Sequence, residues 1–595
     1  MKPNRREFMK VVMAGSVAAG YPVDSMLAAA HSQPQVQSGG KTMGYPAPRF
    51  PSYLNPGVKP TLAEVMPNAR VLASATGGVQ GVGMGHLNPG QTMLIVTDVT
   101  AEPLMVEAVE KALKERKINT VFLPDYTFVG ATREEAEEVR RATVIPGANY
   151  GYLEARNYWI ADPRVWSDES VPVNYLKQKS PYLYEKLFPK RTELPASLQG
   201  LPKKFTLAGM GPHIADYLTK HPEINAVYWG KYGGGFYGRY MAPFESKFMG
   251  MCPFTNHWDL MSELPTYPAD VFHLIEAKTL APLADAAEVH ITGAEGTDIG
   301  WEVPEEMAKR WSHNAYWRGH LLMFPDSATG QYSYSFEHYP QPHKHWTPRE
   351  PIAMVNGVVA GTNGSGGFFP RMEIHFKDAT MSEVKGGGIY GDVIREFMNY
   401  PHINDLIYPY YNHPGYWHLW ELALGTLPKY FRNPSDFYGS GHAGVYCLTY
   451  ERYRSGVFHW GFGNEMPNEP GSYGPPKKWN EFCTEHKLPA GHDFHIHNYF
   501  ITYKLRRRST GEWVTLVDKG HLTALDDPEV RALAARHGDP DKILAEDWIP
   551  EVPGINVPGS YADYGKDPWQ YANAQMKRIL AGTYEHYYPK PQTRK

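Results

Sequence analysis

The run Met93-Leu-Ile-Val-Thr-Asp98 constrains this chain more than any other stretch: it is apolar almost throughout, ends on an aspartate, and is followed by apolar residues at helical spacing from Pro103 to Lys114 and then by Thr120-Val-Phe-Leu-Pro124. A short continuous apolar run bounded by turn residues reads as a strand, so the three pieces make a strand, helix, strand unit. Similar punctuation near Phe205–Gly209, Ala226–Trp229 and Ala287–Ile291 extends the pattern, which predicts a layered α/β domain over residues 67–290. From Gly293 onward the texture changes. Strands are expected over Thr297–Glu302, Pro351–Ala360, Arg371–Phe376, Val457–Phe462 and Phe494–Lys504, with one helix at Gly391–Tyr400. The fold class is therefore α/β in two domains, the second being a strand-rich α+β domain over 291–525, followed by a helical tail over 526–595 with helices at Glu529–Arg536 and Trp569–Leu580.

The N-terminus reads differently. Arg5 and Arg6, with Phe8 and Lys10, precede an uncharged stretch from Val11 to Gly20, and Ala28-Ala29-Ala30 supplies the small residues of a cleavage site. This pattern predicts a twin-arginine signal over residues 1–30, engagement of the Tat translocase, and a periplasmic or secreted product. The apolar stretch is too short for a stable membrane span, which needs about 20 residues. Residues 31–66, rich in Gly, Pro, Gln and Ser, read as an extended leader.

Charge and cysteine count exclude several classes. Lys and Arg total 59 against 63 Asp and Glu, and Arg506-Arg507-Arg508 is the one basic run, so nucleic acid is not an expected partner. Three cysteines without CxxC spacing encode neither a disulfide framework nor a zinc ribbon. Lys231–Gly238 contains Gly-Gly-Gly but not GxGxxG, and there is no GxSxG, HExxH or P-loop. Histidine, in contrast, occurs 25 times and tyrosine 40 times, as a pocket with aromatic walls and imidazole ligands would require.

The chemistry concentrates late in the chain. In Phe494-His495-Ile496-His497 two imidazoles two residues apart on a strand project to one face. His459 within Val457-Phe-His-Trp-Gly461 and Glu421 within Leu419-Trp-Glu-Leu-Ala-Leu424 place a further imidazole and a carboxylate on apolar strands, where burial is costly unless a partner or a metal ion satisfies them. His313, in Arg310-Trp-Ser-His313, and His320, in Arg318-Gly-His320, are candidate acid/base groups or further ligands.

At these residues the sequence resembles the 2,5-dihydroxypyridine 5,6-dioxygenase family and, more distantly, the thermophilic metallo-aminopeptidases of the aminopeptidase T type, with which that family shares a fold. The likeness spans roughly residues 290–505 and rests on the order of Gly296-Thr-Asp298, Arg310-Trp-x-His313, Gly386-Gly387 with Ile394-Arg-Glu-Phe-Met398, Glu421-Leu-Ala-Leu-Gly425, His442-Ala-Gly444 and His495-x-His497. In the dioxygenases a histidine on the Gly-ending strand and a His-x-Asp pair hold iron(II), with an Arg-Trp-x-His histidine in the substrate pocket. The resemblance puts those roles on Glu421, His495, His497 and His313, with the first ligand changed to Glu, unless His418 replaces it, and the Asp changed to His497. In the aminopeptidases the Glu421 position is a Glu, the His459 position a His and the His320 position a Glu, so the resemblance implies room for a second metal.

The expected metal ligands are thus Glu421, His459, His495 and His497, with His313 and His320 as catalytic groups. Two imidazoles and a carboxylate suit iron(II) and dioxygen, with zinc or manganese as other candidate ions, and ring cleavage of a small hydroxylated aromatic or heterocyclic substrate by O2 is the leading expectation. One alternative is two-metal hydrolysis; another is a noncatalytic exported metal- or ligand-binding protein with a closed ion site. Relatives of the fold assemble as dimers or larger rings, which implies a homo-oligomer.

Overall fold

The computed structural model describes residues 44–51, 60–75, 83–143, 194–229, 257–311, 320–323, 353–399, 418–429, 454–464 and 492–588, apart from 98, 100, 205–206, 262, 264–266 and 365–366, together with short pieces between these spans. Residues 1–30, His313 and the glycine run at Lys231–Gly238 lie outside the described residues. Among the described residues no helix is long and apolar enough to cross a membrane. Helices combine with a small parallel sheet and a large, mostly antiparallel one, a mixed α/β fold.

After a short strand, β1 (Phe50–Pro51), the chain enters helix α1 (Leu62–Ser74). Thr61 and Glu64 close its N-terminus reciprocally: the Thr61 hydroxyl accepts from the Glu64 N–H and the Glu64 carboxylate accepts from the Thr61 N–H. The expected leader over 31–66 therefore ends sooner than its composition suggests, because this capping box starts a helix that runs through Pro67.

The parallel sheet has the order β3 (Asn119–Pro124), β2 (Thr92–Thr97), β4 (Ile224–Trp229), β5 (Phe248–Gly250). Both of its faces are covered. Met93 and Ile95 of β2 pack with α1 and with the buried stripe Met105, Ala108, Val109, Ala112 and Leu113 of α2 (Pro103–Glu115). Leu94 and Val96 point the other way, against Met210, Ile214 and Leu218 of α3 (Leu207–Lys220). The expected strand at Phe205–Gly209 is corrected here, since Leu207 opens that helix despite Gly209, Gly211 and Pro212.

The other sheet has 12 strands among the described residues, in the order β14-β13-β12-β11-β10-β9-β7-β6-β15-β16-β17, with β8 on β12. Its members are β6 (Ala286–Gly293), β7 (Asp298–Glu302), β8 (His320–Leu322), β9 (Asn356–Gly364), β10 (Gly367–Lys377), β11 (Thr380–Gly386), β12 (His418–Gly425), β13 (Phe458–Asn464), β14 (His492–Asn498), β15 (Ile501–Arg507), β16 (Trp513–Asp518) and β17 (His521–Leu522). The predicted Ala287–Ile291 strand belongs here and not in the parallel sheet. Val289 and Ile291 are buried while His290 is exposed, the alternation of a half-covered antiparallel strand. Likewise the single strand expected over Phe494–Lys504 is two, β14 and β15, because the chain turns at Tyr499 and Phe500.

The sheet curls into a half-barrel whose first strand lies against its sixth. Gly361 of β9 allows that approach: a Cβ there would stand 2.5 Å from the Ile496 Cγ2 of β14. Side chains complete the join, with Asn498 donating to the Ala360 carbonyl at 2.9 Å and Asn363 to the His497 carbonyl at 3.2 Å. Helix α4 (Ala269–Leu283) and the tail helices α6 (Pro528–Ala534) and α7 (Pro568–Leu580) pack against the sheet, and β18 (Tyr587–Tyr588) pairs in parallel with β1.

Candidate metal centre

Three neighbouring strands build the site, and the two-residue period of the pleat decides which side chains meet. One face of β12, β13 and β14 carries Leu422, Leu424, Phe458, Trp460, Phe462, Phe494 and Ile496, all part of the main apolar core. The opposite face therefore carries Glu421 and Ala423, His459 and Gly461, His495 and His497. Cross-strand register aligns them: His459 faces Ala423 on one side and His497 on the other, while Gly461 stands between Glu421 and His495. With no side chain at Gly461, the carboxylate and the His495 ring converge on the space in front of His459.

The resulting geometry is compact. His459 Nε2 lies 2.8 Å from Glu421 Oε2, and His495 Nε2 lies 3.7 Å from the same oxygen. One ligand atom each from Glu421, His459 and His495 fall within 4.8 Å of one another. His497 sits on the far side of His459, with its Nε2 2.6 Å from His459 Nδ1. The rings of His495 and His497 lie 4.4 and 4.7 Å from that of His459, centroid to centroid. All four side chains are buried; Glu421, the most open, is 9% exposed.

A buried carboxylate needs compensating charge. Among the described residues Glu421 pairs with His459 and His495 and with no lysine or arginine. Two imidazoles supply positive charge only by taking up protons, whereas a divalent cation supplies it while using their lone pairs. The donor set of one carboxylate and imidazole nitrogens is that of iron(II), zinc and manganese sites, so the residues fit such an ion.

The expected site residues thus fall into three groups. Glu421, His459 and His495 are together, with His497 touching His459 by the nitrogen turned away from the carboxylate. His418 is buried at the start of β12, where its Nδ1 lies 3.4 Å from the Ala379 carbonyl oxygen. His320 pairs through its backbone with Gly425 at the end of β12.

Two polar groups behind the site were not singled out by sequence. Glu295 is buried beneath β14, where its carboxylate accepts from Thr362 (2.7 Å), Asn498 (3.0 Å) and Tyr561 (3.2 Å). Burial raises its pKa above the ordinary carboxylate range, and these hydrogen bonds oppose the shift. Asn498, one residue past His497, accepts from the Trp460 indole at 2.8 Å and so ties the back of β13 to the back of β14. The sequence signal was Glu295 itself, a carboxylate beside the Gly296-Thr-Asp298 motif.

Elsewhere, a cleft of about 610 Å³ opens between residues 46–49, 521–549 and 585–588 and touches none of the four clustered residues. At its edge His521 bridges Glu546 and Asp526, each at 2.8 Å, and the two carboxylates push its pKa up to about 9.

Neither a protein-family model nor a curated protein sequence matches the chain. Solved structures do show distant similarity. A 2,5-dihydroxypyridine dioxygenase from Pseudomonas putida KT2440 aligns over 79% of this chain and 99% of its own, with 10% identity and a TM-score of 0.32. Wild-type AmpT from Thermus thermophilus aligns over 78% of this chain and 100% of its own, with 12% identity and a TM-score of 0.32. The two families that the sequence motifs resemble are both represented among these distant structural neighbours.

Proposed function

We propose that the chain is a divalent-metal-dependent enzyme whose ion is held by Glu421, His459 and His495. The observation that carries this reading is the convergence of those three ligand atoms within 4.8 Å in a buried pocket where no lysine or arginine among the described residues meets the carboxylate. A bound iron(II) ion would supply an open coordination position and redox chemistry for dioxygen and an electron-rich ring. Its first contribution from the protein is charge balance by Glu421. His497 orients His459 through the 2.6 Å contact at Nδ1, which fixes the nitrogen that His459 turns toward Glu421. The burial of all four groups excludes bulk water from the ligands.

The reaction proposed is oxidative ring cleavage of a hydroxylated aromatic or N-heterocyclic small molecule, a choice that rests on the motif order between Gly296 and His497. His313 is assigned the proton transfers and His320 a supporting acid/base role. Residues 1–30 are proposed as a twin-arginine signal for export to the periplasm or beyond, and the division into an α/β domain and a metal-binding domain belongs to the same proposal.

The test is elemental analysis of natively exported, anaerobically purified protein, paired with oxygen uptake on hydroxylated aromatic and pyridine compounds. About one iron per chain with substrate-dependent oxygen consumption supports the reading. About two zinc or manganese ions and no oxygen uptake would replace it with two-metal hydrolysis. A chain without metal as purified, and unable to take one up, would refute both.

A further inference from the structure

Among the described residues β14, which carries His495 and His497, is the terminal strand of its sheet: it pairs with β13 on one side and no described strand is bonded to the other. An edge strand leaves alternate backbone N–H and C=O groups without ladder partners, and when the edge is buried those groups must be satisfied elsewhere. At His495 one side chain satisfies both. The backbone N–H of His495 donates to the Tyr390 hydroxyl at 2.9 Å, and that hydroxyl donates to the His495 carbonyl at 3.3 Å. Tyr390 stands on helix α5 (Gly388–Met398), is 1% exposed, and has its ring held between Phe369, at 4.7 Å, and Phe494, at 5.7 Å.

The hydroxyl therefore stands in for a neighbouring strand at a single residue, and that residue contributes an imidazole to the cluster. We infer that Tyr390 is a positioning residue of the metal centre: by clamping the main chain of His495 on both its polar groups, it fixes where the His495 ring meets Glu421. The inference rests on the metal reading above and adds a residue that touches neither ion nor substrate. The motif pieces Gly386-Gly387 and Ile394–Met398 flank Tyr390 but give it no role, because its partner is a backbone 105 positions away.

Tyr390→Phe removes the hydroxyl and keeps the ring between Phe369 and Phe494. The matched control is Tyr503→Phe, which deletes another buried hydroxyl, one on β15 that donates to the Met323 sulfur at 3.5 Å, its ring packing on Phe458 on the face of β13 opposite His459. Titration of the metal-free full chain with manganese(II) and with zinc(II) should show Kd rising about 10–100-fold in Tyr390→Phe, with Tyr503→Phe unchanged. Hydrogen exchange should show faster exchange at the amide of His495 in the first variant and not in the second. Such a split separates positioning from general loss of stability, which both variants share. A wild type that binds and a Tyr390→Phe that binds within about twofold of it would overturn the inference alone. A wild type that takes up neither ion would overturn the metal reading and the inference with it.

Discussion

Replacing Gly361 by alanine tests whether the close approach of β9 to β14 sets the geometry of the cluster. The added Cβ would lie 2.5 Å from Ile496 Cγ2, 3.1 Å from Asn498 Nδ2 and 3.9 Å from the His497 carbonyl oxygen. Ordinary carbon–carbon contacts lie at about 3.5–4.0 Å, so something must retreat by about 1 Å. The methyl group cannot swing away cheaply, because a β-branched side chain is stiff about its first torsion. Backbone must move, and the strand that moves carries His495 and His497. A shift of that size exceeds the margin between the 2.6 Å His459–His497 contact and the outer limit of about 3.2 Å for such a bond. Overpacking of this kind costs about 1–3 kcal/mol in stability. Displacing the orienting partner of a ligand should weaken metal binding by about 10–100-fold. Denaturant unfolding and metal titration measure the two effects separately. The diagnostic variant is Gly361→Ala combined with Ile496→Ala, which removes the offending methyl; Ile496→Ala alone should cost about 2–5 kcal/mol. If the clash is the cause, the double variant is less destabilised than the sum of the singles by more than about 0.5 kcal/mol and regains metal affinity. Additive losses, with metal affinity unchanged in Gly361→Ala, would refute the argument.

The ligand set makes a second prediction: His459→Ala and Glu421→Gln should each abolish stoichiometric metal uptake as measured by elemental analysis. Full occupancy in either would remove that residue from the site. His313→Ala should retain metal and lose turnover by about 10²–10⁴-fold, the usual range for a proton-transfer group; activity within about threefold of wild type would dismiss that role. His521 predicts a pH dependence. Its pKa is about 9 in the folded chain against 6.5 for the free side chain, so its stabilisation is fully present below pH 6.5 and is lost as pH rises through 9. The rise from 6.5 to about 9 has a ceiling near 3 kcal/mol; with 34% of the side chain exposed, solvent screening leaves about 1–2 kcal/mol. Unfolding curves of wild type and His521→Gln should therefore converge by about that amount between pH 6 and 10. A gap that stays constant with pH would show that the bridge to Glu546 and Asp526 does not titrate.

What could be read from the sequence was whatever a short period encodes. Met93–Val96 is apolar on both faces because α1 and α2 cover one side and α3 the other, so a continuous run sufficed. His495 and His497 share a face because the pleat repeats every two residues, and Trp460 and Ile496 pack behind for the same reason. Local breakers misled. Pro67 and Pro212 lie inside helices that tertiary packing sustains, which is why Leu62–Met66 read as leader and Leu207–Gly209 as strand. Position in a sheet was invisible as well: the Ala286–Gly293 strand joins β7 and β15, partners no local pattern names. The roles of Tyr390, Asn363 and Glu295 depend on contacts across 67 to 266 positions and leave no trace in spacing.

The parallel pairing of β1 with β18 has a consequence for how the chain is made. Phe50 leaves the ribosome long before its neighbours Trp548, Tyr584 and Tyr587, which come from the last part of the described chain. That aromatic cluster cannot assemble until Trp548, Tyr584 and Tyr587 have been made, so Phe50 must wait for them through the synthesis of all the chain between. Closure of the two ends is a late step governed by a long loop, and its rate should respond to substitutions at Phe50 even when the half-barrel is already formed.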